Sequence, residues 1–244
     1  MTIQEKMIIG EIVAFDYRAA SIFNKHGIDF CCQGKRSLKE ACEAKKVNIE
    51  EVINGLEEVL NIKQETGRID YASWPINTLA DHIEENHHSY VKQKIQEIIP
   101  YLVKVCRVHG ENHPELHDIY KEFMASSEEL RSHMQKEEVV LFPYIRKMMG
   151  SPCSTVFAQA AQFGSIENPL KQMEAEHLTE GNRFSRILAL SNNYTTPEDA
   201  CSTYRVTFAL LKEFQDDLHV HIHLENNILF PQVIEMERTH SACD

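Results

Sequence analysis

The sequence predicts an all-α protein: an up-down-up-down four-helix bundle preceded by a small helical N-terminal domain. Three observations carry that prediction. Strand signals are scarce, with only nine glycines in 244 residues and no sustained alternation of apolar and polar positions. Helical periodicity runs through most of the chain. The motif H-x-x-x-E-x-x-x-L-F-P also occurs twice, as HMQKEEVVLFP from His133 and HIHLENNILFP from His221, each inside a long helical stretch.

The elements follow in order. Ile8, Ile12, Phe15, Ala19, Ile22 and Phe23 repeat at helical spacing and predict one helix over 8–25, ended by Gly27 and the DFCCQGK turn. Ser37 is placed as an N-cap, with Glu40 three residues on completing a capping box. A further short helix is predicted over 49–62, and the polar stretch KQETGRIDYASWP, residues 63–75, reads as a linker. Residues 1–65 then form the small domain and 76–236 the bundle. The bundle helices are predicted over 76–107, ended by Gly110 and Pro114; 115–149, closed by Gly150; 166–191; and a last helix to 236, opened by Thr196, Pro197, Glu198 and Asp199 as cap, first-turn proline and first-turn acids. Connections of these lengths join antiparallel neighbours.

Composition narrows the function. A formal net charge of −12 argues against a nucleic-acid or anionic-membrane surface, which needs clustered Lys and Arg. No apolar run approaches the ~20 residues that span a bilayer, and MTIQEKMIIGEIV lacks the basic head and apolar run of a signal peptide, so a cytoplasmic location is expected. Seven cysteines, an odd number, are expected to be thiols in a reducing compartment. Thirteen histidines against one tryptophan make metal binding the first thing to test.

The repeat selects the ligands. In each motif copy the glutamate follows its histidine by four, His133 with Glu137 and His221 with Glu225, which puts both side chains on one helix face a turn apart. The other two helices share E-x-x-H, ending at His88 and His177. The separations from His88 to His177 and from His133 to His221 are 89 and 88 residues, so the bundle reads as a duplicated helix pair. Thr207, Leu211, Phe214, Leu218, His221, Glu225 and Ile228 form one stripe, as do Leu130, His133, Glu137 and Leu141. Both pairs therefore face the core, where charged groups need compensation. On the first helix, periodicity leans to His87 and the repeat to His88. His219 and His223 fall off the stripe and read as surface residues. Glu138 reads as solvated, and His82, His109, His113 and His117 as loop or surface residues. Pro143 and Pro231, at equivalent positions, should bend their helices or mark their last turns.

Imidazole and carboxylate ligands without thiolate suit iron or manganese and tolerate zinc. Six ligands from four helices suit a binuclear centre. If each metal takes two histidines and both glutamates bridge, an oxo or hydroxo bridge leaves about one open position per metal in six-coordinate geometry.

At these residues the sequence resembles the hemerythrin-like di-iron proteins, and most of all the bacterial repair-of-iron-centres family of iron–sulfur cluster repair proteins. The resemblance spans nearly the whole chain, because HGIDFCCQGKRSLKEAC is also similar to that family's small N-terminal domain with its Asp-aromatic-Cys-Cys-Gly-Gly motif. It implies two iron ions in an oxo- or hydroxo-bridged centre, held by His88, His133, Glu137, His177, His221 and Glu225. It implies a cytoplasmic stress protein that restores iron–sulfur clusters damaged by nitric oxide or oxidants, with damaged cluster proteins as partners and NO or O2 as small ligands. Cys31 and Cys32 become redox or iron-relay thiols, against the plainer reading of an apolar plug in a turn. Gln33 stands where the family has its first glycine; if that position needs a positive φ, the turn differs here. A hemerythrin-like O2 or NO carrier or sensor, and an NO reductase, are the alternatives, and a homodimer is compatible with all of them.

Overall fold

The computed structural model describes residues 3–61, 70–150 and 165–241. The stretch 62–69 of the expected linker, Cys153 and Cys243 lie outside the described residues. The chain divides into two compact units, Met1–Leu79 with Ile222–Asp244, and Ala80–His221. No helix of the described residues is long and apolar enough to cross a membrane.

The first unit begins with α1 (Ile9–Phe15), α2 (Ala19–Lys25), α3 (Leu38–Lys45) and α4 (Ile49–Asn61). The single helix expected over 8–25 is in fact two. Asp16 is extended (φ −154°, ψ 111°), and its carboxylate accepts from the Arg18 amide at 3.0 Å and pairs with the Arg18 guanidinium at 2.7 Å. An aspartate that can bond nearby amides competes with the helix ladder, and here it wins. Ser37 caps α3 as expected: its hydroxyl accepts from Glu40 N at 3.3 Å, and the Glu40 carboxylate accepts from Ser37 N at 2.9 Å. An antiparallel bridge between Ile8 and Ser37 ties the start of α1 to the start of α3. Ile9, Ile12, Phe23, Phe30, Leu38 and Leu56 are fully buried, each contributing about 1.5–3 kcal/mol of burial.

The second unit holds most of the bundle, whose first helix begins and last helix ends in residues of the first unit. α5 (Ile76–His82) runs through a π-helical turn at Ile83–His88 into α6 (Ser89–His109). After a short loop, α7 (Glu115–Lys136) runs through a π turn at Glu137–Leu141 into α8 (Phe142–Gly150). α9 (Glu167–Leu190) follows, then α10 (Ser202–Leu224), which continues through a π turn at Glu225–Leu229 into α11 (Phe230–Ser241). Phe214 of α10 meets Phe123 of α7 edge-on and stacks on Phe184 of α9, closing the core. The apolar stripes of the sequence are buried: Val91, Ile95, Ile98 and Leu102 on α6, and Thr207, Leu211, Phe214 and Leu218 on α10.

The last bundle helix starts later than Thr196. Thr196 does not cap it and Glu198 and Asp199 are not in its first turn: the chain turns with Ala200 N donating to Pro197 O, the Asp199 carboxylate accepts from His113 Nε2 at 3.0 Å, and the helix begins at Ser202. The two prolines explain two of the three π turns. Pro143 and Pro231 each lack the amide that would bond four residues back, to Val139 and Asn227, so the turn before each can widen. No proline follows the remaining π turn, at Ile83–His88.

Candidate metal centre

The three π turns fall where the sequence placed ligands: His88 ends the first, Glu137 begins the second and Glu225 begins the third. Such turns re-aim side chains within a helix and concentrate at functional sites. His88 and Glu137 are fully buried, and His133, His177 and His221 retain 3%, 2% and 1% exposure.

These side chains converge. Ligand atoms of His88, Glu137 and His221 lie within 4.8 Å of one another, as do those of His133, Glu137 and His177. Glu137 is common to both groups: its Oε2 is 3.3 Å from His88 Nε2 and its Oε1 3.3 Å from His133 Nε2. His133 Nε2 and His177 Nε2 are 2.8 Å apart. Glu225 is fully buried one turn beyond His221 on the same unbroken helix.

Outer carboxylates fix the imidazoles. His88 Nδ1 donates to Glu138 at 2.8 Å, and Lys92 reaches the same carboxylate at 2.6 Å. His133 Nδ1 donates to Glu176 at 2.7 Å, which also takes bonds from Lys136 and Gln172. A carboxylate here can only accept, so each Nδ1 carries the proton and each Nε2 turns a lone pair inward. Glu176 is pulled down to about 2, first by His133 and then, against burial, by Lys136 and Gln172. Burial opposes the same effect at Glu138, but Lys92 and His88 hold it below the ordinary carboxylate range. Glu138 is thus a support for His88 rather than solvated. Nothing in periodicity marks it; its signal is adjacency to Glu137, as Glu176 adjoins His177.

His87 turns elsewhere. Its Nδ1 bonds Asp217 at 3.0 Å, and its ring stacks on His221 with centroids 5.7 Å apart. Phe142 of the LFP tail stacks on the His88 ring at 5.5 Å, which gives the repeated tail a packing role beside the ligand.

The donor set fits metal ions. Inward-facing lone pairs of His88 and His133, the Nε2 atoms of His133 and His177 only 2.8 Å apart, and a buried carboxylate shared between two histidine groups are satisfied by cations held between them. With nitrogen and oxygen donors and no thiolate, the site suits iron or manganese. A cavity of about 210 Å³, lined by Glu129, Lys136, Glu176 and Glu180, reaches His133 and His177. His109 sits far from this centre, at the other end of the 21-residue α6.

In the first unit, Cys31 is buried and Cys32 half-buried, their Sγ atoms 3.7 Å apart. Asp29 Oδ1 accepts from the Cys31 thiol at 3.3 Å and from Cys32 N at 2.9 Å. The hydrogen bond with Cys32, then burial and the Asp29 charge, push the Cys31 thiol well up. Gln33 has no positive φ, so the turn needs no glycine there. The need falls on Gly34, where a Cβ would sit 2.4 Å from Asn227 Oδ1 and 2.5 Å from Phe30 O. Asn227 Nδ2 donates to Phe30 O and Cys31 O, and Asn226 Nδ2 to Cys31 O, so the third π turn grips the backbone of the cysteine turn. His223 is not a surface residue. It is 1% exposed, packs edge-on to Phe30 and bonds Asn227, and burial drives its pKa down to about 3, leaving it neutral.

Comparison with known proteins agrees with both regions. Residues 79–233 match the hemerythrin HHE cation binding domain, and residues 5–60 match ScdA_N, a domain of unknown function. The chain is 37% identical over 222 residues to the iron–sulfur cluster repair protein YtfE of Yersinia pestis (strain Pestoides F), covering 90% of this chain and 93% of that one. It is 36% identical, with the same coverage, to YtfE of Yersinia pseudotuberculosis serotype O:1b (strain IP 31758). With its histidine–glutamate cluster and its N-terminal cysteine turn, the chain belongs to the hemerythrin-like iron–sulfur cluster repair proteins of the YtfE family.

Proposed function

We propose that the protein repairs iron–sulfur clusters damaged by nitrosative or oxidative stress, acting in the cytoplasm through two iron ions held by His88, His133, Glu137, His177, His221 and Glu225. The observation that carries the reading is Glu137. One carboxylate oxygen faces His88 and the other His133, each at 3.3 Å, as a bridge between two metals requires. Helix spacing supports Glu225 as the second bridging carboxylate, since it repeats the His133–Glu137 relation four residues after His221. The assignment puts His88 with His221 on one metal and His133 with His177 on the other.

When bound, the irons supply redox-active positions able to take small ligands such as NO or O2, or to be given up to a client. The chain's own residues set the rest. Glu138 and Glu176 hold two imidazoles in the ligating tautomer. Phe142 keeps water from one face of His88. The cavity beside His133 and His177 gives small molecules and ions a way in on that side. Clients are proteins with damaged iron–sulfur clusters.

The test is repair. Iron-loaded protein is mixed with a cluster enzyme inactivated by NO, and recovery of that enzyme's activity is followed. Recovery with the wild type but not with Glu137→Ala is expected. No recovery from fully iron-loaded protein overturns the reading, and reversible stoichiometric gas binding without recovery assigns the centre to a carrier or sensor.

A further inference from the structure

We propose that Asp29, Cys31 and Cys32 form a binding site for a single thiophilic divalent cation, Fe(II) or Zn(II), in addition to the bundle histidines. One carboxylate oxygen and two sulfurs lie within 4.8 Å of one another on a single turn. The spacing matches coordination closely. Tetrahedral geometry with metal–sulfur bonds of about 2.3 Å and metal–oxygen bonds of about 2.1 Å sets sulfurs about 3.75 Å apart and sulfur from oxygen about 3.6 Å. The Cys31 and Cys32 sulfurs are 3.7 Å apart, and Asp29 Oδ1 is 3.3 Å from the Cys31 sulfur. A cation can therefore enter with shifts of a few tenths of an ångström.

The turn is fixed before any cation arrives. Asn226 and Asn227 hold the Cys31 carbonyl, Asn227 also holds that of Phe30, and Gly34 lets Asn227 close against the backbone. Asp29 Oδ1 keeps its bond from Cys32 N while a second lone pair faces the sulfurs. Cys31 is buried while Asp29 and Cys32 are partly exposed, so the site is backed by protein and open on one side. Three protein ligands leave a fourth position for water or an exchanging group, the arrangement of labile rather than closed structural sites. Binding forms two metal–sulfur bonds and one metal–oxygen bond and releases both thiol protons to solvent; no electron is transferred. The site stands independently of the repair reading, because it uses none of the bundle ligands.

The probe is Co(II), titrated into the full-length, metal-free protein under reducing conditions. Thiolate–cobalt charge transfer absorbs in the near ultraviolet, whereas cobalt on the bundle's nitrogen and oxygen donors gives only the weaker visible bands. The expected result is a charge-transfer band that saturates at one cobalt per chain. The band is abolished in the Cys31→Ser/Cys32→Ser double variant, which keeps its helical circular dichroism and its bundle bands. Asp29→Asn weakens this binding by about 10-fold or more, at least what losing an outer-shell partner costs. Absence of the band in the wild type overturns the proposal without recourse to any variant. Persistence of the band in the double variant, or an unchanged affinity in Asp29→Asn, overturns it as well.

Discussion

His88 reaches outward to Glu138 through Nδ1, at 2.8 Å, while its Nε2 faces Glu137 at 3.3 Å. The pair transmits orientation: the outer carboxylate fixes which nitrogen carries the proton and therefore which one can ligate. Glu138→Gln keeps the shape and removes the charge. It is expected to weaken metal binding by about 10- to 100-fold, as loss of an outer-shell partner does, with the helical content of the metal-free protein unchanged. Metal titration of the variant against the wild type checks this, and equal affinities would remove Glu138 from the site.

The cysteine turn gives a steric prediction. Alanine at Gly10 meets Asn227 Oδ1 at 2.6 Å and Gly34 O at 3.0 Å; alanine at Gly34 meets Asn227 Oδ1 at 2.4 Å and Phe30 O at 2.5 Å. Each substitution overpacks the turn and is expected to cost about 1–3 kcal/mol. Truncating the contact with Asn227→Ala should recover much of the loss in Gly10→Ala, where the nearest obstacle is that side chain. It should recover little in Gly34→Ala, where the Phe30 carbonyl remains. Urea unfolding of the two double variants separates the cases.

Cys201 gives a pH prediction. It lies just before α10, where the Tyr204 amide first and His109 second, at 3.1 Å, bring its thiol down to about 7. A lowered thiol pKa means thiolate above that pH. The rate of iodoacetamide labelling at Cys201, followed by peptide mass spectrometry, is expected to rise with pH through a midpoint near 7 and then level off. In His109→Ala the midpoint moves up toward the ordinary thiol value. An unshifted midpoint would show that His109 does not hold the thiolate.

Much of this was legible in the sequence because burial and periodicity are the same fact seen twice. The stripe from Thr207 to Ile228 marked the inner face of the last helix, and duplication of HxxxExxxLFP singled out His221 among three alternating histidines. What escaped were contacts made by a second face or by a neighbour in sequence. His223 lies off the stripe, yet it is buried against Phe30 and Tyr17, because the end of this helix also serves as core for the N-terminal unit. A single periodicity cannot report two buried faces. Asp16 interrupts an otherwise helical pattern by satisfying Arg18, and Asp199, expected as a first-turn acid, pairs with His113 before the helix begins, both local competitions that residue type permits but does not decide. At Gln33 the family's glycine is absent without consequence for φ, while the glycine that matters, Gly34, is retained for close approach. Two of the three π turns follow from prolines visible in the sequence, but that all three would carry ligands is a property of the folded helices.

Glu137 is a carboxylate shared between two histidine groups, and iron content tests a binuclear centre there most directly. Protein purified anaerobically and loaded with Fe(II) is analysed for iron per chain, alongside Glu137→Ala. Thiol-bound iron is excluded by using the Cys31→Ser/Cys32→Ser background in both. The ligand count predicts about two irons per chain in the Glu137-containing protein. Removing the shared carboxylate should leave less than about half of one, since both metals lose a ligand and a compensating charge together. A single iron in the parent, or two irons retained without Glu137, would contradict this centre.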